Sequence, residues 1–275
     1  MVNFLSQILN RILPAFFYNQ IKKIYNLAIN FRSINYDLTK DLEYNEKLLT
    51  SLKFDIKKIK STLNSLRYSY QDKELSWHYH LFIGLKDYFK DKKINILEIG
   101  TLDGKFTNFI SNVYKESKIT TIDLDDSNEV FNNSYGRDEK EKKIEFIEKR
   151  KNNLQRENIN FIKLNSINIK EYFSGKKFDL IWVDGDHLNP QVTIDIVNSL
   201  DLLDDNGVIC TDDVIMDMKF KTSKYVSNEG FLTLKHFANN NILNNFYLIK
   251  RIHKLNYYNK KYVSMSIFLK NKSLT

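Results

Sequence analysis

Two apolar runs in this chain end in acids. Phe178-Asp-Leu-Ile-Trp-Val stops at Asp184-Gly-Asp186-His187, and Gly207-Val-Ile-Cys-Thr stops at Asp212-Asp213. As neighbouring strands of one sheet, the two runs bring Asp184, Asp212 and Asp213 to a single edge. Carboxylates gathered there repel one another, and a hard divalent cation is the usual relief. An oxygen-only set favours Mg2+, with water and substrate completing its octahedron, over Zn2+. Such a site suits chemistry on a hydroxyl too weakly acidic to react unaided near neutrality. Plainer roles stay open: Asp186 and Asp213 as helix caps or loop residues, and His187 as a hydrogen-bonded loop residue. His78, His80, His236 and His253 have no partner pattern and are expected to be structural or exposed.

A second cluster lies upstream. Ile94-Asn-Ile-Leu-Glu98-Ile-Gly100-Thr101-Leu-Asp-Gly104 is an apolar strand that ends in a turn with two glycines four apart, and a helix follows at once. Glycine there permits positive φ and a close approach to the backbone. In open α/β sheets, ligands bind beyond the carboxyl ends of the strands. The G-x-G-x-x-G dinucleotide fingerprint is absent, which argues against a nicotinamide enzyme, and the acid two residues before Gly100 suits a cofactor that carries a cation. The next strand ends at Asp123, where a carboxylate can accept both ribose hydroxyls of an adenosine. The third ends at Asn165 and Ser166, placed to reach an adenine edge.

E-x-G-x-x-x-G, an acid ending the second strand and Asp-Gly-Asp-His after the fourth together resemble class I S-adenosylmethionine-dependent methyltransferases, of the methyltransferase family 24 kind, over about residues 75 to 270. The Asp-Gly-Asp-His pairing followed by a paired acid resembles, within that class, metal-dependent O-methyltransferases acting on sugar hydroxyls. The resemblance implies S-adenosylmethionine and Mg2+ as cofactors, with Glu98, Gly100, Thr101, Gly104, Asp123, Asn165 and Ser166 along the first. Asp184, Asp212 and Asp213 would hold the metal, and His187, beside Asp184, would be the base. A nucleic-acid methyltransferase is the lesser enzyme alternative, because Asn189-Pro190 is followed by Gln191 and is not an amino-methylating signature. A non-catalytic coiled-coil assembly or membrane-docking protein is the alternative from another class.

The elements that must position these residues alternate. Strands are expected at 94–99, 119–123, 159–164, 178–183 and 207–212, with helices from 105, over 138–156 and over 190–203. A helix at 229–240 precedes strands at 244–250 and 262–269, which lack a crossover helix and should pair antiparallel. This predicts an α/β, Rossmann-like, doubly wound seven-stranded sheet, mostly parallel with an antiparallel last strand. Within it, the long segment Asp125 to Asp138 is expected to be a substrate lid, with Arg137 facing an acidic group.

Residues 1–72 differ in texture and form an expected helical extension to a methyltransferase domain at 73–275. Leu38, Leu42, Asn45, Leu49, Leu52, Ile56, Ile59, Leu63 and Leu66 follow the 3.5-residue period of a coiled coil, with one Asn in the seam and Asp55 and Lys60 on its flanks. Homo-oligomerisation through this helix is one outcome; folding back onto the catalytic domain is the other. Residues 1–35 carry basic side chains beside aromatic ones and no acid, suiting a peripheral membrane or partner contact. The formal charge of +8 invites nucleic acid, but Lys and Asn abound throughout a chain with 8 Gly and 2 Pro, so that partner is not expected. A single cysteine, Cys210, fits a reducing cytoplasm.

Overall fold

The computed structural model describes Gln20, Ile24 and residues 38–72, 74–218, 227–251 and 259–269. Residues 1–37 other than Gln20 and Ile24 lie outside it, and with them the membrane or partner contact expected of that stretch. Among the described residues no helix is long and apolar enough to cross a membrane.

In chain order the elements are α1 (Leu38–Ser51), α2 (Ile56–Ser65), α3 (His78–Tyr88), β1 (Asn95–Ile99), α4 (Lys105–Val113), β2 (Lys118–Asp123), α5 (Glu129–Asn132) and α6 (Lys140–Asn153). They continue with β3 (Ile159–Lys163), a 3-10 turn (Ser166–Asn168), α7 (Ile169–Tyr172), β4 (Phe178–Val183), α8 (Gln191–Leu202), β5 (Leu203–Val214), α9 (Glu229–Asn239), β6 (Leu243–Ile249) and β7 (Tyr262–Phe268). Seven strands form one sheet in the order β3-β2-β1-β4-β5-β7-β6. β1 to β5 pair in parallel, while β7 runs antiparallel to both β5 and β6. The expected Rossmann-like sheet with an antiparallel last strand is therefore the one observed.

The central strands are apolar on both faces because helices cover both. Ile96, Leu180, Trp182, Val208 and Cys210 enter one core with α3 and α4. Their alternates Leu97, Ile181, Val183 and Ile209 enter a second core with α7 and the end of α8. A period of two distributes each strand between these layers.

The coiled-coil expectation over Leu38 to Leu66 is corrected. The helix breaks after Ser51, where Lys53 takes a positive φ of 62°, and α2 restarts under a new cap: Asp55 Oδ1 accepts the N–H groups of Lys57 and Lys58 at 2.8 and 3.1 Å. Leu49, Ile59 and Leu63 are fully buried in the same core as Ile96 and Trp182, so the apolar stripe faces this chain's own sheet. The flank residues also act within the chain. Asp55 caps α2, and Lys60 reaches Glu46 at 3.6 Å. A stripe of this period says only that something apolar must cover it; here the cover is intramolecular.

Asn45 explains why the stripe carries one amide. Its side chain is fully buried; Nδ2 donates to the carbonyl of Ile249 at 2.9 Å, and Oδ1 accepts the Ile249 N–H at 2.8 Å. Tyr44 donates its hydroxyl to the Tyr247 carbonyl at 3.0 Å. β6 is an edge strand, and α1 satisfies backbone groups that an edge otherwise leaves open.

Candidate active site at the carboxyl edge of the sheet

Parallel β1, β2, β3, β4 and β5 deliver their carboxyl ends to one edge. The turn after β1 is braced from within. Glu98, 1% exposed, accepts the hydroxyls of Thr107 on α4 and Thr121 on β2, each at 2.5 Å, and Thr101 Oγ1 lies 2.6 Å from Thr121 Oγ1. Burial pushes the Glu98 carboxyl up to about 7, and the two hydroxyls pull it partly back. Glu98 and Thr101 thus tie strand, turn and helix together beneath the edge. Gly100 takes φ +98°, and a Cβ there would stand 2.2 Å from the Asp184 carbonyl oxygen, so the turn after β1 and the loop after β4 meet backbone to backbone. Gly104, at φ +72°, starts α4.

Asp123 ends β2 half-buried. Its two oxygens accept the N–H groups of Leu102 and Leu124 at 2.8 and 2.7 Å. Each oxygen keeps a second lone pair, so the carboxylate can still receive a diol. Burial raises its pKa, against the pull of those amides. Asn165 is exposed and caps the turn at Ser166–Asn168 by accepting the Ile167 N–H at 3.0 Å. Ser166 Oγ accepts from Gln191 Nε2 at 2.8 Å, which also reaches Asp195 Oδ1 at 2.7 Å. Asp195 is fully buried, burial raises it to about 6, and its Oδ2 has no hydrogen-bond partner among the described residues. Nothing in the amphipathic pattern of α8 marked it. The donors at this edge fit an adenosine-bearing group: a carboxylate with spare lone pairs, an exposed amide, and the exposed apolar side chains Leu102 and Ile167.

The acids after β4 and β5 do converge. A bulge interrupts the β5–β7 ladder between Thr211 and Val214, and Asp213 sits at φ +52°, so Asp212 and Asp213 both turn toward one point instead of to opposite faces. At that point is Lys250, just past the end of β6. Its ammonium donates to Asp212 Oδ2 and, at 2.5 Å, to Asp213 Oδ1. Lys261, just before β7, donates to Asp213 Oδ2. His187 Nε2 lies 3.6 Å from Asp184 Oδ1 and 3.9 Å from Asp213 Oδ2. The side chains of Asp184 and His187 are 30% and 28% exposed, whereas Asp212 and Lys250 are 4% and 13%, so the first pair forms the mouth and the lysine the floor.

The electrostatics follow from this layering. Burial works against ionised Asp212 and Asp213, but the Lys250 ammonium holds both below the usual carboxylate range, and the two acids raise Lys250 in turn. Asp184 is pushed well up, by burial first and then by the Asp212 charge. Burial lowers His187 despite nearby Asp213, leaving a neutral imidazole near pH 7. His78 also belongs here: it is buried, lowered to about 3 by burial, and its Nδ1 is 4.0 Å from Asp212 Oδ1.

The expected metal ligands Asp184, Asp212 and Asp213 do meet, with the Lys250 and Lys261 ammonium groups against the last two. Among the described residues no three His, Cys, Asp or Glu side chains are disposed to hold a metal ion. The reason is local: ammonium donors take three of the four oxygens of the acid pair, and the residues present do not fit the ion. Asp186 keeps its plainer role, accepting the Leu188 N–H at 3.0 Å. The lid expectation is corrected at Arg137. That side chain is 6% exposed, donates Nε to the Phe131 carbonyl at 2.8 Å and stacks its guanidinium 3.8 Å from the Phe131 ring centre, so it builds the segment's interior. Tyr135 is the outward residue. Partial desolvation, then the charges of Asp184 and Asp213, raise its phenol.

Comparison with known proteins bears on this edge directly. Residues 97–214, from β1 to the end of β5, match the model of a family described as a methyltransferase domain. No curated protein matches the chain in sequence. Two solved structures share its fold. One, assigned as a caffeoyl-CoA O-methyltransferase from Staphylococcus aureus, has a TM-score of 0.52 and 19% identity, over 85% of this chain and 100% of that one. The other, assigned as an O-methyltransferase from Klebsiella pneumoniae, has a TM-score of 0.52 and 16% identity, over 83% and 97%.

Proposed function

We propose that this chain, an enzyme whose residues 97–214 are a methyltransferase domain, transfers a methyl group from S-adenosylmethionine to a hydroxyl of a small molecule or glycan. The observation that carries this is the junction of two loops: the Gly100 turn touches the Asp184 backbone, and Asp184 and His187 open at that same junction. Asp123 would take the ribose diol, Asn165 the adenine edge, and Leu102 and Ile167 the flanks of the ring. When bound, S-adenosylmethionine supplies an electrophilic methyl carbon. His187, neutral near pH 7, accepts the acceptor's hydroxyl proton at Nε2. Asp184 orients both the imidazole and the incoming hydroxyl.

A sugar-like acceptor is favoured over a nucleic acid. The rim sets half-buried Asp184 and His187 beside exposed Asp186 and Tyr135, which can hydrogen-bond neighbouring hydroxyls, and none of the four is a lysine or arginine that would hold a phosphate. The test is calorimetric titration of the full chain with S-adenosylhomocysteine, followed by methyl transfer to a panel of sugar and phenolic acceptors. His187→Ala is expected to keep S-adenosylhomocysteine affinity and to lose turnover by roughly a hundredfold or more. Unchanged turnover would remove the base, and absent S-adenosylhomocysteine binding to folded protein would remove the proposal.

A further inference from the structure

Gathered carboxylates need a countercharge, and this fold supplies one on its own chain. We infer that Lys250 is a built-in cation of the acid cluster: its ammonium holds the place of a divalent ion, and the cluster is positioned without metal.

Three observations carry this. The first is valence. Lys250 bridges Asp212 Oδ2 and Asp213 Oδ1, and Lys261 takes Asp213 Oδ2, so three of the four oxygens a hard cation would collect already face an ammonium group that stands where the ion would sit. The remaining oxygen, Asp212 Oδ1, is buried and faces His78 Nδ1 at 4.0 Å. The second is charge. With the Asp184 carboxyl pushed well up by burial and by the Asp212 charge, the two remaining acids balance the two lysines (−2 + 2 = 0). A divalent ion would leave a net positive charge, with two ammonium groups pressed against it. The third is fixation. A surface lysine can swing away from an arriving ion, but Lys250 is 13% exposed and its backbone is held from several sides. The Trp77 N–H donates to its carbonyl at 2.7 Å, its own N–H donates to the Lys261 carbonyl at 2.9 Å, and the preceding Ile249 is clamped by Asn45.

Lys250 is thus a positioning residue. It acts through Asp212 and Asp213, which lie beneath the His187–Asp184 mouth, and it needs no contact with substrate. The inference deepens the methyl-transfer proposal, but its central test reads metal binding alone.

That test is titration of the full chain with Mn2+, followed by electron paramagnetic resonance of the free ion. Wild type and Lys250→Arg are expected to leave the free-ion signal unchanged. Lys250→Gln, shown folded by its circular dichroism, is expected to bind one Mn2+ and to lose it again when Asp212→Asn is added. A wild-type chain that binds one Mn2+ sensitive to Asp212→Asn overturns the inference, as does a folded Lys250→Gln chain that binds none. The wild-type titration decides the matter even where the Gln variant fails to fold. Failure to bind S-adenosylhomocysteine would count against the methyl-transfer proposal only. Once an acceptor is in hand, turnover is expected to be equal in chelator and in Mg2+.

Discussion

Replacing Asn45 with leucine separates two physical pictures of the N-terminal helices by sign. In a coiled-coil seam a lone Asn costs stability and specifies register, so Asn45→Leu should stabilise the chain and strengthen association. In the structure the amide is the partner of both backbone groups of Ile249, at 2.9 and 2.8 Å, with Asn45 at 0% and Ile249 at 4% exposure. Leucine would leave a buried N–H and a buried C=O without partners, at about 1–3 kcal/mol each. Its added apolar burial returns about 1–2 kcal/mol. The net expectation is a loss of about 2–4 kcal/mol, or roughly 5–15 °C in Tm for a chain of this size. Urea unfolding at one protein concentration measures it, with sedimentation velocity on the same samples. Hydrogen exchange at the Ile249 amide should also accelerate in the variant. An Asn45→Leu chain as stable as wild type, or more stable and more associated, would refute the edge-capping role.

Two further variants test the turn after β1. Glu98 is 1% exposed, and burial pushes its carboxyl up to about 7, against about 4.3 in an unfolded chain. Between these values the native state holds one more proton than the unfolded state, so stability falls as pH rises through that window, by about 4 kcal/mol, and is level above it. Glu98→Gln should flatten this part of the pH–stability curve measured by urea midpoints; an unchanged slope would exonerate Glu98. Gly100→Ala sets a Cβ 2.2 Å from a backbone oxygen at φ +98°, with no flexible side chain to give way. It is expected to cost more than about 3 kcal/mol and to abolish S-adenosylhomocysteine binding, and a normal melting temperature would contradict the close approach.

The sheet was legible because each strand is an apolar run closed by turn or helix signals, and the helices between them fix parallel pairing. The acids were legible for the same reason: a residue at a parallel strand's carboxyl end must lie on the ligand edge. What covers a surface, and what neutralises a charge, was not written locally. Leu49, Ile59 and Leu63 carry a period that a partner helix or the chain's own sheet satisfies equally well. Arg137 read as a ligand-facing cation because its sequence neighbours do not show that Phe131 lies beneath it. The three carboxylates ask for a cation, and strands four and five carry no basic side chain beside them. The answering lysines come from β6 and β7, far along the chain. Their signal in the sequence is a lysine immediately after one strand and another immediately before the next.

The antiparallel strand is what makes that pairing possible. β7 enters between β5 and β6, and Ile249 lies opposite Tyr262. The residue after the end of β6 and the residue before the start of β7 are therefore side by side at the carboxyl edge, as the bond from the Lys250 N–H to the Lys261 carbonyl records. A parallel last strand would begin at the opposite edge and carry Lys261 away from Asp213. The same stretch of β6 is the one gripped by Asn45 from α1 and by Trp77 at the start of α3. Backbone geometry at Ile249 and Lys250 thus sets the distance between an ammonium and two buried acids. It follows that a change in the N-terminal helices, remote in sequence from every acid, is transmitted to the mouth through two residues of an edge strand.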